Sequence, residues 1–259
     1  MTIAAEFKSV TIAFQQTRRD DFVALENLNL QLYDREIYCL LGPSGCGKST
    51  ALNLLAGFER PTTGNVFHEG KVISGPGSDR GVVFQGDDSL YPWLSALDNV
   101  TFGLRMKGVP KSEGKNIAER YLELVGLRGQ AHKFPRELSG GMKQRVQLSR
   151  VLANQPRTLL MDEPFAALDA QTRKLMQDEL VRIWEVEKKN VLFITHDIVE
   201  ALVLGDRVGI MRAGPRSNIL EEIKIDLPRP RDRTDPRLME YYRHIDKLVV
   251  QEVERSRRI

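Results

Sequence analysis

Short apolar runs alternate with helical patterns along this chain. Polar and apolar residues alternate over Phe7–Ala13 and Leu28–Tyr33, as in strands with one exposed face, whereas Ile37–Leu41 is wholly apolar, as in a buried strand. Later strands recur between amphipathic helices, which is typical of an α/β fold with a parallel sheet. These later elements are strands over 158–161, 190–195 and 207–211, and helices over 49–56, 170–187 and 198–204.

Helical patterns replace strands between residues 86 and 155. Helices are predicted there over 97–106, 115–125 and 142–153. We therefore expect residues 1–85 and 156–226 to form the α/β core and residues 86–155 an inserted helical subdomain. Prolines at 228, 230 and 236 predict a linker in the remaining segment, 227–259, before a final helix over 238–255.

The net charge of +3 over 259 residues is confined to the C-terminal segment. Residues 227–259 carry eight Arg and one Lys against six acids, and the first 226 residues carry 29 basic and 29 acidic groups. The first 226 residues therefore lack the excess of positive charge with which proteins bind nucleic acid. The tail itself is typical of a solvated amphipathic helix. Two cysteines, Cys39 and Cys46, exclude a disulfide scaffold and favour a reducing cytosol.

A glycine-rich loop follows the predicted strand Ile37–Leu41. Residues 42–49, Gly-Pro-Ser-Gly-Cys-Gly-Lys-Ser, fit the phosphate-binding pattern G-x-x-x-x-G-K-[ST]. Glycines let successive amides turn toward an anion, and the following helix directs its positive end at the same place. Lys48 can neutralise phosphates, and the Ser49 hydroxyl can ligate Mg²⁺. The expected phosphate contacts, with Cys46 a chemical spectator, are Gly42, Pro43, Ser44, Gly45, Cys46, Gly47, Lys48, Ser49 and Thr50.

Two adjacent acids end the predicted strand over 158–161. Asp162 is placed to hold Mg²⁺, directly or through water, and Glu163 to polarise an attacking water. Such a pair also occurs in solvated turns, but a phosphate loop in the same chain favours the catalytic interpretation. No N-K-x-D motif for reading guanine is present, so the predicted base is adenine.

A second anion site is predicted at residues 138–145, Leu-Ser-Gly-Gly-Met-Lys-Gln-Arg. A small hydroxyl and two glycines there open the predicted helix over 142–153. One nucleotide cannot use both sites unless the chain folds them together. The simplest alternative is that the second site serves a nucleotide held by another copy of the chain.

These strings resemble the nucleotide-binding subunits of ATP-binding cassette (ABC) transporters, whose signature is L-S-G-G-x-x-Q-R. Gln85 resembles that family's glutamine loop, residues 167–169 (Ala-Leu-Asp) its D-loop and His196 its switch histidine. Phe14 stands where the family places an aromatic on adenine. The likeness runs from about residue 7 to residue 211. It implies a P-loop NTPase (RecA-like) α/β core with an antiparallel β subdomain and an inserted α-helical subdomain.

The resemblance also implies roles for single residues. Gln85 would touch the metal or its water, while Glu163 and His196 would act on the water that attacks ATP. Asp169 would bridge two copies, and the partner's ATP would be contacted by Ser139, Gly140, Gly141 and Gln144. From the residues alone, Gln85 could be a buried strand-end amide, and His196 and Phe14 could be core residues.

Further strings resemble the nitrate, sulfonate, taurine and bicarbonate importers within this family. They are residues 75–85, 91–93, 98–100, 161–173 and 227–233. This implies MgATP hydrolysis by a homodimer at the cytoplasmic face of the inner membrane, with separate permease subunits and an extracytoplasmic solute-binding protein, and no nucleic acid as partner. Two alternatives stay open: a soluble cassette ATPase acting on nucleic acid or ribosomes, and the ATPase subunit of an exporter.

Overall fold

A computed structural model describes residues 2–15, 21–84, 89–166 and 168–256. In chain order its elements are β1 (Ile3–Phe14), β2 (Phe22–Tyr33), β3 (Ile37–Leu41), α1 (Lys48–Ala56), β4 (Thr63–His68), β5 (Lys71–Val72), β6 (Arg80–Val83), α2 (Ala96–Met106), α3 (Lys111–Leu124), a 3₁₀ turn (Pro135–Glu137), α4 (Gly140–Ala153), β7 (Thr158–Asp162), α5 (Ala170–Glu187), β8 (Asn190–Thr195), α6 (Ile198–Leu204), β9 (Arg207–Met211), β10 (Ile219–Lys224) and α7 (Pro236–Ser256).

The elements group into two compact units. A discontinuous unit contains residues 1–77 and 188–259, and an inserted unit contains residues 78–187. The inserted unit is wider than the predicted helical subdomain over 86–155, because β6, β7 and α5 belong to it. The C-terminal segment 227–259 belongs to the discontinuous unit.

The discontinuous unit combines an antiparallel sheet with parallel strands. Its antiparallel strands run in the order β2-β1-β4-β5, and elsewhere in the unit β3 lies between β8 and β9, parallel to both. All five residues of β3 and all six of β8 are buried, as their apolar sequences predict. Strand β10 adds to β9 in the antiparallel direction. The predicted α/β class, with an antiparallel β subdomain beside parallel strands, is confirmed.

Strand β4 begins inside a segment that the sequence predicts as a turn, residues 61–64. Gly64 has φ of 79°, and a Cβ there would lie 2.3 Å from the carbonyl oxygen of Ser9 on β1. The pairing of β1 with β4 changes register between Lys8 and Thr11, next to this contact. The glycine therefore permits a close approach of two strands, and the turn prediction is wrong at Thr63 and Gly64, which belong to β4.

The inserted unit places helices beside a short parallel pair of strands. Strands β6 and β7 pair in parallel, with Val83 opposite Met161. Helices α2, α3 and α4 pack on one another. The sequence pattern predicts these helices to within four residues at each end, but it does not predict β4, β5, β6 or β10.

The basic C-terminal segment packs on the discontinuous unit, so it is only partly the solvated helix that the sequence predicts. Leu238 and Ile245 bury one face of α7, which packs on α6 and β9. Arg231 is 7% exposed, and its guanidinium donates to the carbonyl oxygens of Leu202, Gly205, Leu227 and Ile225. This segment therefore contributes to the core. Among the described residues, no helix has the length and apolar character that crossing a membrane requires.

Candidate nucleotide-binding site

The phosphate loop connects the buried end of β3 to the start of α1. Gly45 and Gly47 have φ of 79° and 92°, conformations that residues with a side chain rarely adopt. A Cβ on Gly47 would also come 2.6 Å from Cδ2 of Leu25, a fully buried residue of β2. Gly47 is the N-cap of α1, and a glycine has no side chain that could bond to the amides of the helix's first turn. Those amides are thus available to an anion.

Lys48 lies against the loop that precedes it. Its Nζ donates to the carbonyl oxygens of Gly42 at 2.8 Å and Pro43 at 3.1 Å, and the residue is 6% exposed. Cys46 of the same loop is fully buried, with Sγ 4.0 Å from Nζ. Ser49 is exposed in the first turn of α1 and Thr50 is half-buried. The ammonium group is therefore held at the loop while the Ser49 hydroxyl stays accessible.

Strand register brings His196 to the same edge as this loop. Leu41 on β3 lies opposite Thr195 on the neighbouring parallel strand β8. The residues that follow, Gly42 and His196, therefore leave the sheet side by side, on strands about 4.8 Å apart. His196 is exposed. The sequence predicts both residues separately, and the register shows that they share one edge.

Phe14 is the last residue of β1, on the side of the unit that carries the phosphate loop. It is 37% exposed and lies opposite Phe22, which is 41% exposed. Two residues earlier on β1, Ile12 lies opposite Leu25, the residue that contacts the phosphate loop at Gly47. Phe14 is thus an exposed aromatic about 7 Å along the strand from that contact, and it is not a core residue.

The inserted unit carries the two acids. Asp162 ends β7 and Glu163 follows it; both are half-buried. Glu163 has φ of 42°, a left-handed backbone conformation that costs energy in a residue with a side chain and that concentrates at functional sites. Phe84 directly follows Val83, the last residue of β6, which pairs with Met161 of β7. The predicted metal-contacting residue Gln85 lies outside the described residues, as does Ala167 of the D-loop.

An arginine that sequence reasoning missed holds the turn after Glu163. Arg173 of α5 donates from Nε to the carbonyl oxygen of Phe165 at 3.3 Å and from Nη2 to that of Leu168 at 2.9 Å. Phe165 and Leu168, whose carbonyl oxygens accept these bonds, are both buried. No local pattern marks this role, because a lone arginine near a helix start is usually solvated.

The signature segment and the D-loop meet in the inserted unit. Ser139 is exposed and caps α4 by accepting from the Met142 amide at 3.3 Å. A Cβ on Gly141 would lie 2.9 Å from Cγ2 of Thr172 in the first turn of α5. Asp169 is exposed and accepts from the amides of Gln171 and Thr172 at 3.1 and 3.0 Å. Ser139, Gly140 and Asp169 therefore lie on exposed parts of neighbouring helix starts.

The carboxylate of Asp169 also bonds within its own chain. Hydrogen bonds from the backbone amide and the side chain of Thr172 hold the pKa of Asp169 below its ordinary value. An ionised carboxylate at a helix N-terminus also interacts favourably with the helix dipole. The sequence predicts only a contact to a second copy, and the structure adds that Asp169 caps α5.

Gln144 lies in a different environment from Ser139. It is 3% exposed and faces a small apolar space lined by Val83, Leu148, Met161, Pro164, Phe165, Met176 and Leu180. Its Nε2 has no hydrogen-bond partner within the described ranges. A side chain this buried presents little surface to a second molecule, and the contact of Gln144 with a partner's ATP stays a prediction. The helical period of α4 turns this residue inward, toward α5.

No group of three or more His, Cys, Asp or Glu side chains in the described part of the chain could hold a metal ion. A nucleotide site does not need such a group, because Mg²⁺ in these sites keeps waters and phosphate oxygens and takes only one or two protein ligands. A hydroxyl at Ser49 and a carboxylate at Asp162 are the hard oxygen donors that this ion prefers. The donor chemistry of the chain thus fits Mg²⁺.

Comparison with known proteins identifies the family of this chain. The family model described as ABC transporter matches residues 25–166. The chain is 48% identical over 227 residues to the nitrate import ATP-binding protein NrtD of Synechococcus elongatus, covering 85% of this chain and 82% of NrtD. It is 48% identical over 226 residues to the bicarbonate transport ATP-binding protein CmpD of a Synechocystis strain, covering 86% and 79%.

A solved structure is also similar to this chain over most of its length. The ATP-binding cassette MJ0796, in a dimeric post-hydrolysis state bound to ADP and Pi, superposes with a TM-score of 0.74 at 32% identity, covering 86% of this chain and all of that one. The family match includes the phosphate loop, the signature segment and Asp162–Glu163. This chain belongs to the ABC transporter family as one of its ATP-hydrolysing subunits.

Proposed function

We propose that this chain energises an importer of a small anion, such as nitrate, a sulfonate, taurine or bicarbonate. The names of two relatives that match more than four fifths of this chain, a nitrate import protein and a bicarbonate transport protein, support this substrate class. In this proposal the chain works at the cytoplasmic face of the inner membrane. Permease subunits carry the solute, and an extracytoplasmic solute-binding protein delivers it.

The main support for the proposal is that the residues expected to contact a nucleotide lie on two separate surfaces of the chain. The phosphate loop and His196 share a sheet edge in the discontinuous unit, while Ser139 and Asp169 share helix starts in the inserted unit. A twofold pair uses such complementary surfaces reciprocally. We infer a homodimer that holds two ATP molecules, each between the phosphate loop of one copy and the signature segment of the other.

Each residue then has a specific role in hydrolysis. Lys48 and the amides of α1 bind the β- and γ-phosphates, and Phe14 stacks on the adenine. Glu163 accepts the proton of the attacking water, and His196 contacts the γ-phosphate and orients that water. Ser49, Asp162 and Gln85 would hold Mg²⁺, which when bound neutralises charge on the phosphate oxygens.

Replacing Lys48 with Ala tests the phosphate loop. The ammonium group contributes charge-assisted hydrogen bonds worth about 1.5–3 kcal/mol each, so we expect the Kd for ATP to rise about 10- to 100-fold. Titration of the purified variant with a fluorescent ATP analogue measures the change. Lys71→Ala, which removes the same charge from an exposed residue of β5, serves as control. An unchanged Kd in Lys48→Ala would contradict the assignment of the loop.

The segment that follows Gln85 presents an aromatic side chain to solvent. The Asn99 side chain is fully buried and bonds to the backbone of Tyr91, Leu94 and Ser95, which fixes the preceding loop. Leu90 is buried, but Trp93 is 70% exposed, with its ring 5.6 Å from that of Tyr91. From the sequence alone, the apolar residues Leu90, Tyr91, Trp93 and Leu94 could form either a local core or a docking groove. The exposure of Trp93 favours a groove for a short cytoplasmic helix of the permease.

Replacing Trp93 with Ala tests this docking surface. Because Trp93 is mostly exposed, we expect the free energy of unfolding to change by less than about 0.5 kcal/mol. The ATPase rate of the isolated subunit should also stay unchanged. Co-purification with the permease and solute uptake should both fail, since exposed aromatics dominate binding at such contacts. Val186→Ala, at an exposed apolar residue of α5, is the control. A markedly lower melting temperature for Trp93→Ala would assign the loop to a local core instead.

Reconstitution distinguishes the proposed importer from the two alternatives. Proteoliposomes that contain the permease and this subunit should take up labelled nitrate or bicarbonate only with ATP and the solute-binding protein. Turnover that is stimulated by nucleic acid or ribosomes, in a protein that does not co-purify with membranes, would favour a soluble cassette ATPase. ATP-driven movement of solute away from the nucleotide side would favour an exporter.

A further inference from the structure

Three hydrogen bonds hold the turn that carries His196. The Thr195 hydroxyl donates to Oε2 of Glu200 at 2.5 Å and accepts from the Asp197 amide at 3.0 Å. Oδ1 of Asp197 accepts from the Glu200 amide at 3.1 Å, which caps α6. The three bonds join the residues on either side of His196 to the first turn of the helix.

The two side chains that share the shortest of these bonds are buried, whereas the imidazole of His196 is not. Thr195 is 2% exposed and Glu200 is 4% exposed, but His196 is exposed. A buried carboxylate and a buried hydroxyl are costly unless they are hydrogen-bonded, so these two side chains strongly favour the conformation in which they pair. That conformation fixes the backbone on which His196 stands, with its ring directed away from the core.

The far end of α6 is also held. The Arg231 guanidinium donates to the carbonyl oxygens of Leu202 at 2.6 Å and Gly205 at 2.5 Å. Arg229 pairs with Asp206 at 2.7 Å, next to the same helix end. A cation at the C-terminus of a helix satisfies carbonyls that have no partner within the helix. With seven residues, α6 is only about 10 Å long, so fixing both ends leaves it little freedom to tilt.

We propose that Thr195 and Glu200 are positioning residues that set the orientation of His196 for hydrolysis. The inference rests on the role of His196 in the proposed function. Neither side chain reaches the nucleotide, because both are buried behind the turn. They act by holding the backbone of residues 195–197, so the imidazole meets the γ-phosphate without first ordering a loop.

Thr195→Val tests the proposal, since it keeps the shape of the side chain and removes the hydroxyl. We expect kcat to fall about 10- to 100-fold, the loss that a displacement of about 1 Å produces, with an unchanged Kd for ATP. Thr195→Ser, which keeps the hydroxyl, should recover most of the activity. Thr101→Val removes a hydroxyl hydrogen bond from a buried threonine of α2 and should leave kcat unchanged.

A double-mutant cycle with His196→Ala separates positioning from general damage. In the His196→Ala background, Thr195→Val should cause no further loss of kcat, because the group that it positions is already absent. The chain has four histidines, so His196→Ala also identifies the imidazole signal in an NMR spectrum. That signal should shift or broaden in Thr195→Val and return in Thr195→Ser.

The outcomes distinguish this inference from the function on which it rests. Full activity of His196→Ala would overturn the role of His196 itself. Loss of activity in His196→Ala but not in Thr195→Val, or equal losses from Thr195→Val in both backgrounds, would overturn the positioning role alone. If Thr195→Val does not fold, Asp197→Ala replaces it in the same cycle, with Asp197→Asn, which retains a capping side chain, as its control.

Discussion

Glu163→Gln is expected to bind ATP normally and to hydrolyse it about 10²- to 10⁴-fold more slowly, the usual contribution of a general base. The amide keeps the shape of the side chain but cannot accept the proton of the attacking water. Binding depends on the phosphate loop, in another unit of the chain, so it should survive. A slow variant holds its ATP, and gel filtration should therefore show a dimer that forms only when ATP is present.

The control for this prediction is Glu113→Gln, at an exposed acid in the first turn of α3. It removes the same charge from the same unit and should leave both turnover and the elution volume unchanged. The backbone of Glu163, with φ of 42°, should tolerate glutamine as it tolerates glutamate. Near-normal hydrolysis by Glu163→Gln would remove this residue from the role of base.

Ser139→Arg should separate binding from catalysis. Each copy would still hold ATP on its own phosphate loop, but a long cationic side chain would occupy the exposed start of α4, where the partner's nucleotide must fit. We expect monomeric protein with bound ATP and no measurable hydrolysis, against a wild-type rate that rises more steeply than linearly with protein concentration. Analytical ultracentrifugation with ATP, together with a phosphate-release assay, measures both effects.

Ser139 also caps α4, so the loss of that cap needs its own control. Ser139→Ala removes the capping hydroxyl, at a cost of about 0.5–2 kcal/mol of stability, without adding bulk. It should still dimerise when ATP is present. Hydrolysis by Ser139→Arg at a rate linear in protein concentration would indicate an active site complete within one copy.

The parts of the site that depend on local sequence are those that the sequence predicts well. The phosphate loop needs glycines at fixed spacing between an apolar strand and a helix, and all of these features are contiguous. Asp169 could have been identified as a helix cap by the same kind of rule, since an aspartate directly before a helical pattern is a capping signal. The fold class follows from the alternation of strands and helices for the same reason.

The remaining features depend on contacts between distant residues. The burial of Gln144 is set by α5, and its place in the signature string gives no indication of it. Strand β5 contains only Lys71 and Val72, both exposed, and exists because it pairs with β4. Arg231 bonds to carbonyl oxygens as far away as Leu202, and no local pattern distinguishes it from the other arginines of a basic tail.

The placement of β3 has a consequence for folding during synthesis. Both neighbours of this strand, β8 and β9, are made only after the inserted unit, whose 110 residues take roughly 5 to 20 s at about 5–20 residues per second. Throughout that interval Ile37–Leu41 has two unpaired edges and no charged residue, a combination that promotes association with other nascent chains. A ribosome-bound chaperone should therefore crosslink to this strand until residue 211 has emerged.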